Sequence, residues 1–295
     1  MKKTFIPEEF REKYTNLFGE ESSEFFNCCK IKIPKSIWVN SLKIKPDKLK
    51  NILETKGWKL TELFHENAFA IEGIEKPGQE EEFRQGLFNL QEKSSMIPVV
   101  ALSPEKNDFV LDAAAAPGNK TLQISCLMEG KGQIVAVDKN VKRFTSMKLN
   151  FKKFGVKNII EKRMDLLDSK KNELFDKVLL DAPCSSEGLV RKDFDALKNW
   201  SQELVEKKAE LQKKMIETAF RLLKRKGTMV YSTCSLSPEE DEEVIKHILE
   251  NQKAEIEEIK IKGFKIRKGI DGIGNRIMPQ DNNSQAFYFC KVKKL

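Results

Sequence analysis

Residues 109–121 read FVLDAAAAPGNKT, and this stretch decides the fold. Its first four residues form a short apolar run that ends in Asp112, and small residues then lead through Gly118 to Lys120, where a helix is predicted to begin. A strand that passes through such a turn into a helix is typical of an open α/β sheet, which binds its ligand at that turn. Small side chains let a ligand approach the backbone, and the helix N-terminus offers free N–H groups.

Short apolar runs alternate with amphipathic segments after this turn. The runs with strand character are Phe109–Asp112, Gln133–Asp138, Asn158–Glu161, Lys177–Asp181, Thr228–Ser232 and Ala286–Val292. The segments with helical periodicity are Lys120–Met128, Lys142–Phe154, Ser201–Leu223 and Pro238–Asn251. Strands that are each followed by a helix form a parallel sheet with helices on both faces. The sequence therefore predicts an α/β fold with a mostly parallel sheet.

Two helix boundaries carry signals of their own. Ser237, Pro238 and Glu240 predict a helix that starts with an N-cap, a proline in the first position and a capping box. Gly227 predicts the end of the helix before it, because glycine readily adopts the left-handed conformation in which many helices end.

The periodicity is mixed before residue 105. The predicted elements there are, in chain order, a helix at 8–18, a strand at 37–42, a helix at 46–56 that ends at Gly57, and a strand at 68–71. This order predicts a small α+β unit over roughly residues 30–80. Ser94 and Ser95 are candidate caps for a helix that leads into the main domain. We therefore expect two domains, at residues 1–104 and 105–295.

The composition indicates a globular protein with a basic surplus. Among 295 residues, 40% are apolar and 33% are charged, and 53 Lys and Arg against 45 Asp and Glu give a net charge of +8. This surplus favours an anionic partner, with nucleic acid ahead of an acidic membrane surface. No apolar run approaches the ~20 residues that span a bilayer, and no apolar segment follows the N-terminal lysines as in a secretory signal.

The chain has six cysteines and two histidines, and no C-x-x-C pair. Cysteine is too sparse for a disulfide scaffold, and a Cys/His zinc site is disfavoured. We therefore expect a cytoplasmic monomer with reduced thiols, no metal and no membrane contact.

Carboxylates follow successive predicted strands. Asp138 lies about 20 residues after Gly118, which is the spacing and residue type of a carboxylate that holds ribose hydroxyls. Asp165 follows the third strand and Asp181 ends the fourth. The turn matches neither G-x-G-x-x-G nor G-x-x-x-x-G-K-[ST], so S-adenosylmethionine fits it better than a dinucleotide or a nucleoside triphosphate. The alternative is an ordinary strand–helix connection with no ligand.

Two cysteines occupy matching places in the predicted sheet. Cys184 lies in DAPCSSEG and Cys234 in YSTCSLSP, each just past a predicted strand, so both are expected at the carboxyl edge. A lone cysteine is usually a small buried apolar residue, and this reading is kept for the other four, Cys28, Cys29, Cys126 and Cys290. Cys184 and Cys234 are instead flanked by Ser, Thr, Pro and Asp, which favours a chemical role.

A thiolate beside a methyl donor has a specific use. Carbon 5 of a pyrimidine is a poor nucleophile, but addition of a thiolate at carbon 6 turns the ring into an enamine-like species that attacks a methyl group. Asp181, three residues before Cys184, is placed to contact the N3/N4 edge of the ring. To share a proton with N3 it would need a raised pKa.

Four segments together resemble one known family. LDAAAAPGNKT, AVDKN, LLDAPCSSEG and YSTCSLSPEEDEEVI resemble, in this order, the Sun/NOP2/NSUN (RsmB/NOP) family of RNA cytosine-5 methyltransferases. GLVRKDFDALKNW is similar to bacterial 16S rRNA and archaeal tRNA members of that family. The resemblance is strong over residues 84–250, weaker over 30–83 and absent before 25. It implies a class I, Rossmann-like methyltransferase fold preceded by a small RRM-like region that holds RNA.

The resemblance also implies roles for individual residues. Cys234 would attack carbon 6, Cys184 would assist release of the product, and Asp181 would bind the cytosine edge, steadied by Lys120. Asp138 would contact ribose and Asp165 would lie near adenine. The residues implied in binding S-adenosylmethionine are Ala114, Ala115, Ala116, Pro117, Gly118, Asn119, Lys120, Asp138, Asp165 and Asp181.

Three positions depart from the family pattern. Asn119 stands where Gly or Ser is usual, which we expect to be tolerated because Asn accepts a positive φ. Trp38 stands where an Arg is common, which weakens an inference of RNA contacts there. Gln285 and Ala286 replace an acidic–glycine pair.

The predicted function is methyl transfer from S-adenosylmethionine to carbon 5 of a cytosine in RNA. A compact chain without the large appended domains of the rRNA enzymes favours tRNA, and the same chemistry on 16S-type rRNA is the alternative. A non-catalytic RNA-binding or ribosome-assembly factor is a different class of function, which the intact Cys184, Cys234, Asp138 and Asp181 disfavour. Methylation of a protein or small molecule is disfavoured by the thiol pair.

Overall fold

A computed structural model describes residues 5–295, and residues 1–4 of the predicted N-terminal domain lie outside this range. The α-helices, α1 to α10 in chain order, are Glu8–Phe18, Ser22–Cys29, Pro46–Thr55, Glu81–Arg84, Lys93–Leu102, Asn119–Leu127, Val141–Phe154, Gln202–Leu222, Glu242–Asn251 and Pro279–Asn282. The strands, β1 to β13, are Lys35–Val39, Lys59–Glu62, Ala68–Glu72, Phe88–Leu90, Phe109–Asp112, Gln133–Val137, Ile159–Lys162, Phe175–Asp181, Leu223–Thr233, Ala254–Ile256, Arg267–Lys268, Asn275–Ile277 and Phe287–Lys294.

The larger sheet is mostly parallel at its centre. Its order is β11-β12-β13-β9-β8-β5-β6-β7, with β10 added along β13. Strands β7, β6, β5, β8 and β9 pair in parallel, and β13 is antiparallel to β9. The predicted α/β class is therefore confirmed. All five parallel strands end at one edge, which is where the order of the sheet positions a ligand site.

The centre of this sheet is buried on both faces. Val178 and Leu180 of β8 pack in a cluster with Ile216 and Phe220 of α8, and Leu179 packs in a second cluster on the opposite face. Alternate residues of a strand point to opposite faces, so covering both faces requires a continuous apolar run. Full burial of each such side chain contributes about 1.5–3 kcal/mol.

The smaller sheet confirms the predicted α+β unit. Its strands have the order β2-β3-β1-β4 and all pair antiparallel, with Leu49 and Leu53 of α3 packed in its core. Trp38 of β1 is fully buried and packs with Leu122 and Cys126 of α6, so it joins the small sheet to the large one. This packing accounts for Trp38 without an RNA contact.

Three helices before residue 105 pack outside the small sheet. Helix α5 lies against the large sheet, while Phe10 of α1 and Phe25 of α2 pack in a cluster with Trp200 and Leu236. The division of the chain between residues 104 and 105 remains a prediction.

Both predicted helix-boundary signals in the main domain are wrong. Helix α9 begins at Glu242 rather than Pro238, and Glu240 is buried, with its carboxylate accepting hydrogen bonds from Ser185 and Gln212. Gly227 lies inside β9, because α8 ends at Leu222 and the strand follows at once.

Other predicted boundaries also differ from the observed ones. The N-cap of α5 is Glu92, whose carboxylate accepts hydrogen bonds from the backbone N–H groups of Ser94 and Ser95, so these two serines are not the caps. The strand expected at 37–42 ends at Val39, and the other predicted strands are shifted, shortened or lengthened at their ends except Phe109–Asp112. No helix within residues 5–295 combines the length and the apolar character needed to span a membrane.

Candidate active site

The carboxyl ends of the parallel strands border a cavity of about 490 Å³. Six of the residues named from the sequence line it, namely Ala114, Asp138, Asp165, Asp181, Cys184 and Cys234. A cavity of this size suits a small-molecule ligand. The parallel order of the strands brings together side chains that are far apart in sequence.

Two carboxylates line the cavity beyond β6 and β7. Asp138 is 6% exposed, its Oδ1 accepts from the Asn140 N–H at 2.8 Å, and the Arg143 guanidinium lies 3.3 Å from Oδ2. Burial opposes ionisation of Asp165, but hydrogen bonds from Lys139, at 2.9 Å, and from a backbone N–H hold the pKa of this carboxyl below its usual value. A carboxylate accepts about four hydrogen bonds, so both retain capacity for ligand hydroxyl or amino groups.

Small residues after β5 form part of the cavity wall. Ala113 and Ala114 line the cavity, whereas Ala115 and Ala116 are buried against side chains of α7. Methyl-sized side chains leave the backbone open to a nucleoside. The two acceptor carboxylates, Asp138 and Asp165, and this wall together fit the adenosine part of S-adenosylmethionine.

Gly118 is the residue of this turn that requires glycine. Its φ is 100°, and a Cβ there would lie 2.6 Å from Cε1 of Phe151. Asn119 is the first residue of α6 and has no positive φ. The expectation that Asn119 is tolerated through a left-handed conformation is therefore wrong, because the preceding glycine takes that conformation. Among the described residues, those that line the cavity do not include 115–120.

The two motif cysteines meet at this edge of the sheet. We call residues 182–191, after β8, the Cys184 loop and residues 234–241, after β9, the Cys234 loop. The two Sγ atoms lie 2.8 Å apart, and both cysteines are free thiols. The hydrogen bond shared with Cys234 and the burial of the site raise the pKa of Cys184 well above its usual value. Cys184 therefore keeps its proton at neutral pH.

The other cysteines lie elsewhere. Cys29, Cys126 and Cys290 are buried, and Cys28 is half-buried. Burial raises the pKa of Cys29 and of Cys290 to about 12, so these thiols remain protonated. Their surroundings agree with a packing role.

Asp181 is held by two donors at the end of β8. Lys120 Nζ lies 2.6 Å from its Oδ2, and Ser232 Oγ donates to its Oδ1 at 2.8 Å. Lys120 also donates to Ser95 Oγ at 3.1 Å. The sequence-based pairing of Lys120 with Asp181 is therefore present, and Asp181 lines the cavity together with both thiols.

A further carboxyl lies in contact with the start of α6. Asp112 is fully buried at the end of β5 and accepts a hydrogen bond from Thr121 Oγ1 at 2.7 Å. Burial, with a smaller contribution from the charge of Asp181, raises the pKa of Asp112 to about 7. The sequence did not single out Asp112, because a strand-end acid looks the same whether it faces the ligand or the interior.

Two buried glutamates of the cysteine loops, Glu187 and Glu240, were not connected with the site by the sequence. Glu187 accepts from five donors, and Glu240 accepts from Ser185 and Gln212. The one pattern that could have indicated these glutamates is the mixture of Ser and Glu directly after each cysteine. This mixture is equally typical of an exposed loop. Within residues 5–295, no group of three or more His, Cys, Asp and Glu side chains is arranged to hold a metal ion.

Comparison with known families matches nearly the whole chain. Residues 99–293 match the family described as 16S rRNA methyltransferase RsmB/F. Residues 6–93 match the N-terminal domain of 16S rRNA methyltransferase RsmF.

Curated relatives carry related names. Ribosomal RNA small subunit methyltransferase F of Vibrio campbellii is 40% identical over 304 residues, which cover 99% of this chain and 64% of that protein. The protein of the same name from Vibrio cholerae is 36% identical over 315 residues and is also covered to 64%. This chain therefore spans 64% of the length of these relatives, slightly less than two thirds.

Solved structures share the fold. A methyltransferase homolog protein from Pyrococcus horikoshii has a TM-score of 0.87 and 31% identity, with 98% of this chain and 96% of that chain covered. NSun6 from Pyrococcus horikoshii, solved with SFG, has a TM-score of 0.89 and 26% identity, with 98% of each chain covered. The Rossmann-like methyltransferase fold is thus confirmed, as is S-adenosylmethionine as the cofactor of the family. The chain belongs to the 16S rRNA methyltransferase RsmB/F family, part of the Sun/NOP2 group that its motifs resemble.

Proposed function

We propose that this chain transfers a methyl group from S-adenosylmethionine to carbon 5 of a cytosine in RNA, through a covalent cysteine adduct at carbon 6. The observation that carries the proposal is the 2.8 Å approach of the Cys184 and Cys234 sulfurs in the cavity that Asp138 and Asp165 also line. An oxygen or nitrogen atom of a substrate can attack the methyl group of the cofactor without help from a thiol. Carbon 5 of cytosine needs a thiol, because this carbon must first be made nucleophilic.

Asp138 and Asp165 are the residues proposed to hold the cofactor. Asp138 accepts from the ribose hydroxyls, while Asn140 and Arg143 fix its two oxygens. Asp165 accepts from the amino group of adenine. When bound, S-adenosylmethionine supplies an electrophilic methyl group.

Cys234 is the proposed nucleophile and Cys184 its proton-bearing partner. The Cys234 thiolate adds to carbon 6, and the electron pair of the 5,6 double bond makes carbon 5 the attacking atom. Once carbon 5 has gained a methyl group, it loses its proton to water, the C5–H electron pair restores the double bond, and the Cys234 sulfur leaves carbon 6 as a thiolate. Cys184, whose pKa is raised, donates a hydrogen bond to the departing sulfur and so assists release.

Asp181 and Lys120 are proposed to bind the cytosine edge. The exocyclic amino group of cytosine is a donor, and a carboxylate accepts from it. Addition of a thiolate places negative charge towards N3, and the Lys120 ammonium, 2.6 Å from Asp181, supplies positive charge there. The same pair therefore selects cytosine and stabilises the adduct.

We favour rRNA over tRNA as the substrate. The tRNA preference drawn from the compact chain has no support in the comparisons, whereas the curated relatives are named as ribosomal RNA small subunit methyltransferases. The net charge of +8 suits either RNA, because lysine and arginine contact phosphates without regard to sequence.

One experiment separates the candidate functions. The purified chain is incubated with radiolabelled S-adenosylmethionine and with 16S rRNA, small ribosomal subunits, tRNA or total protein. We expect label in 16S rRNA, and bisulfite sequencing should place it at one or a few cytosines. Label in tRNA alone would overturn the substrate, label in protein alone would overturn the reaction, and no label in any acceptor would favour a non-catalytic RNA-binding factor.

A further inference from the structure

The two cysteine loops are fastened to each other through buried carboxylates. Glu187 of the Cys184 loop is fully buried, and three donors of the Cys234 loop point at it. The Leu236 N–H donates at 2.9 Å, Ser237 Oγ at 2.7 Å and Ser235 Oγ at 3.0 Å. Glu187 lies three residues after Cys184 and accepts hydrogen bonds from the segment that begins with Cys234.

The Cys234 loop contributes a buried carboxylate of its own, Glu240, to the contact between the loops. Glu240 of the Cys234 loop accepts from the Ser185 N–H at 3.0 Å, directly after Cys184, and from Gln212 Nε2 of α8 at 2.7 Å. Ser235 Oγ lies between the two carboxylates, 3.0 Å from Glu187 and 2.9 Å from Glu240. Burial raises the pKa of Glu240. The Ser235 hydroxyl lies within hydrogen-bond distance of both carboxyl groups and so links Glu187 with Glu240.

The backbones of the two loops touch at Gly188. Its N–H donates to the Cys234 carbonyl at 2.7 Å, and a Cβ at this position would lie 2.9 Å from that same carbonyl oxygen. The loops therefore approach as closely as a residue without a side chain allows.

Two further donors reach Glu187 from outside the loops. Tyr14 Oη of α1 lies 2.5 Å from Glu187 Oε2, and Trp200 Nε1 donates to Oε1 at 2.6 Å. Tyr14 Oη is also 3.1 Å from Ser237 Oγ. Tyr14, on the buried face of α1, therefore donates to the carboxylate that joins the two loops. No sequence motif connects this helix with the site.

We propose that Glu187 is a positioning residue that holds Cys184 and Cys234 at their working separation, and that α1 contributes to this role through Tyr14. The proposal rests on the proposed function, in which the two sulfurs act in turn on one ring. An error of about 1 Å in such an arrangement costs on the order of 10²-fold in rate. All five hydrogen-bond partners of Glu187 are donors. A glutamine at this position would therefore direct its side-chain NH₂ group at another donor.

The separation of the thiols is measured with phenylarsine oxide. This arsenical forms two As–S bonds across neighbouring thiols, and its oxygen leaves as water with the two thiol protons. Cys28→Ser is introduced in every variant, because Cys28 and Cys29 are adjacent in sequence. We expect the otherwise native chain to bind one equivalent, Cys234→Ser to bind none, and Glu187→Gln to bind at least about tenfold more weakly.

A buried glutamate away from the site serves as the control. Glu82 is 7% exposed and pairs with Lys56, so Glu82→Gln changes a buried carboxylate to an amide without touching the loops. We expect Glu82→Gln to bind the arsenical like the native chain. Equal binding by Glu187→Gln and Glu82→Gln would overturn the positioning role.

The role of α1 is tested by removing one hydroxyl. Tyr14→Phe should lower kcat for RNA about tenfold and leave the Kd for S-adenosylmethionine unchanged. Tyr288→Phe, which removes a buried hydroxyl that donates to the Ile273 carbonyl, is the matched control and should not lower kcat. Equal kcat values for the two variants would overturn the part assigned to α1, as would a parallel loss of cofactor binding, which indicates general loosening. If Glu187→Gln does not fold, Tyr14→Phe also replaces it in the arsenical titration.

The arsenical titration needs no RNA, so it tests the positioning role of Glu187 independently of the proposed methyl transfer. A chain that methylates no RNA but follows the expected arsenical pattern supports the positioning role and contradicts the proposed function.

Discussion

Lys120 Nζ lies 2.6 Å from Asp181 Oδ2, which joins the first turn of α6 to the end of β8. The lysine is held in place on two other sides, by a hydrogen bond to Ser95 and by the ring of Phe287, whose centroid is 5.6 Å from Nζ. Its side chain is 12% exposed, against 31% for Asp181. A ligand can therefore reach the carboxylate from the cavity while the ammonium remains behind it.

Replacing Lys120 by Met should lower kcat for RNA by about 10²-fold, because it removes the charge that opposes the negative charge formed on cytosine. The Kd for S-adenosylmethionine should change little, since Lys120 does not line the cofactor cavity. Steady-state methylation and calorimetric cofactor binding measure the two effects. Lys106→Met, which breaks the exposed pair with Glu129, is the control. A loss of cofactor binding equal to the loss of rate would contradict the assignment.

Replacing Asp138 by Ala should weaken binding of S-adenosylmethionine by about 10- to 100-fold, because hydrogen bonds to a charged acceptor contribute about 1.5–3 kcal/mol. Isothermal titration with the cofactor gives the Kd directly. Asp47→Ala, in the first turn of α3 and away from the cavity, should leave it unchanged. An unaltered Kd for Asp138→Ala would remove this residue from the cofactor site.

Replacing Gly188 by Ala should destabilise the chain by about 1–3 kcal/mol and reduce methylation. The added Cβ would lie 2.2 Å from the Ala286 oxygen and 2.9 Å from the Cys234 oxygen, so the Cys184 loop must move away from Ala286 and from the Cys234 loop. Gly78→Ala, where the nearest atom would be a Leu90 methyl at 3.5 Å, is the control. Urea unfolding and methylation rates test both effects, and a Gly188→Ala chain as stable and active as the control would rule out the close contact.

Asp112 should make stability depend on pH. Its folded pKa of about 7 lies above its usual value of 3.8, so the protonated carboxyl favours the folded state. This stabilisation is complete below pH 3.8 and is lost as the pH rises through 7. Relative to Asp112→Asn, the native chain should lose about 2 kcal/mol between pH 5.5 and 8.5 in urea unfolding. A constant difference between the two chains over this range would contradict the raised pKa.

The parallel strands were predictable because each ends in a distinct signal. The carboxylates and cysteines at or after the ends of β6 to β9 mark one edge of the sheet, and five of them line one cavity, namely Asp138, Asp165, Asp181, Cys184 and Cys234. Strand–helix alternation requires no knowledge of distant partners. The short strands β10 to β12, of two or three residues, carry no such pattern.

Glu240 shows what local patterns miss. The order Ser-Pro-Glu-Glu matches a capping box, but the Glu240 carboxylate accepts from Ser185 and Gln212 instead, and α9 begins at Glu242, four residues after the predicted start at Pro238. Tyr14 lies on a helix whose bounds were predicted correctly, yet its partner Glu187 is 173 residues away. Contacts across such distances depend on packing, which periodicity does not encode.

The covalent adduct tests the central claim most directly. The chain is incubated with S-adenosylmethionine and substrate RNA, and RNA-bound protein is separated on a denaturing gel. We predict that Cys184→Ala accumulates an RNA–protein adduct, because the donor that assists release of the Cys234 sulfur is gone, and that Cys234→Ala forms none and transfers no methyl group. An adduct with Cys234→Ala and none with Cys184→Ala would reverse the two roles, and full methylation by Cys234→Ala would contradict the mechanism.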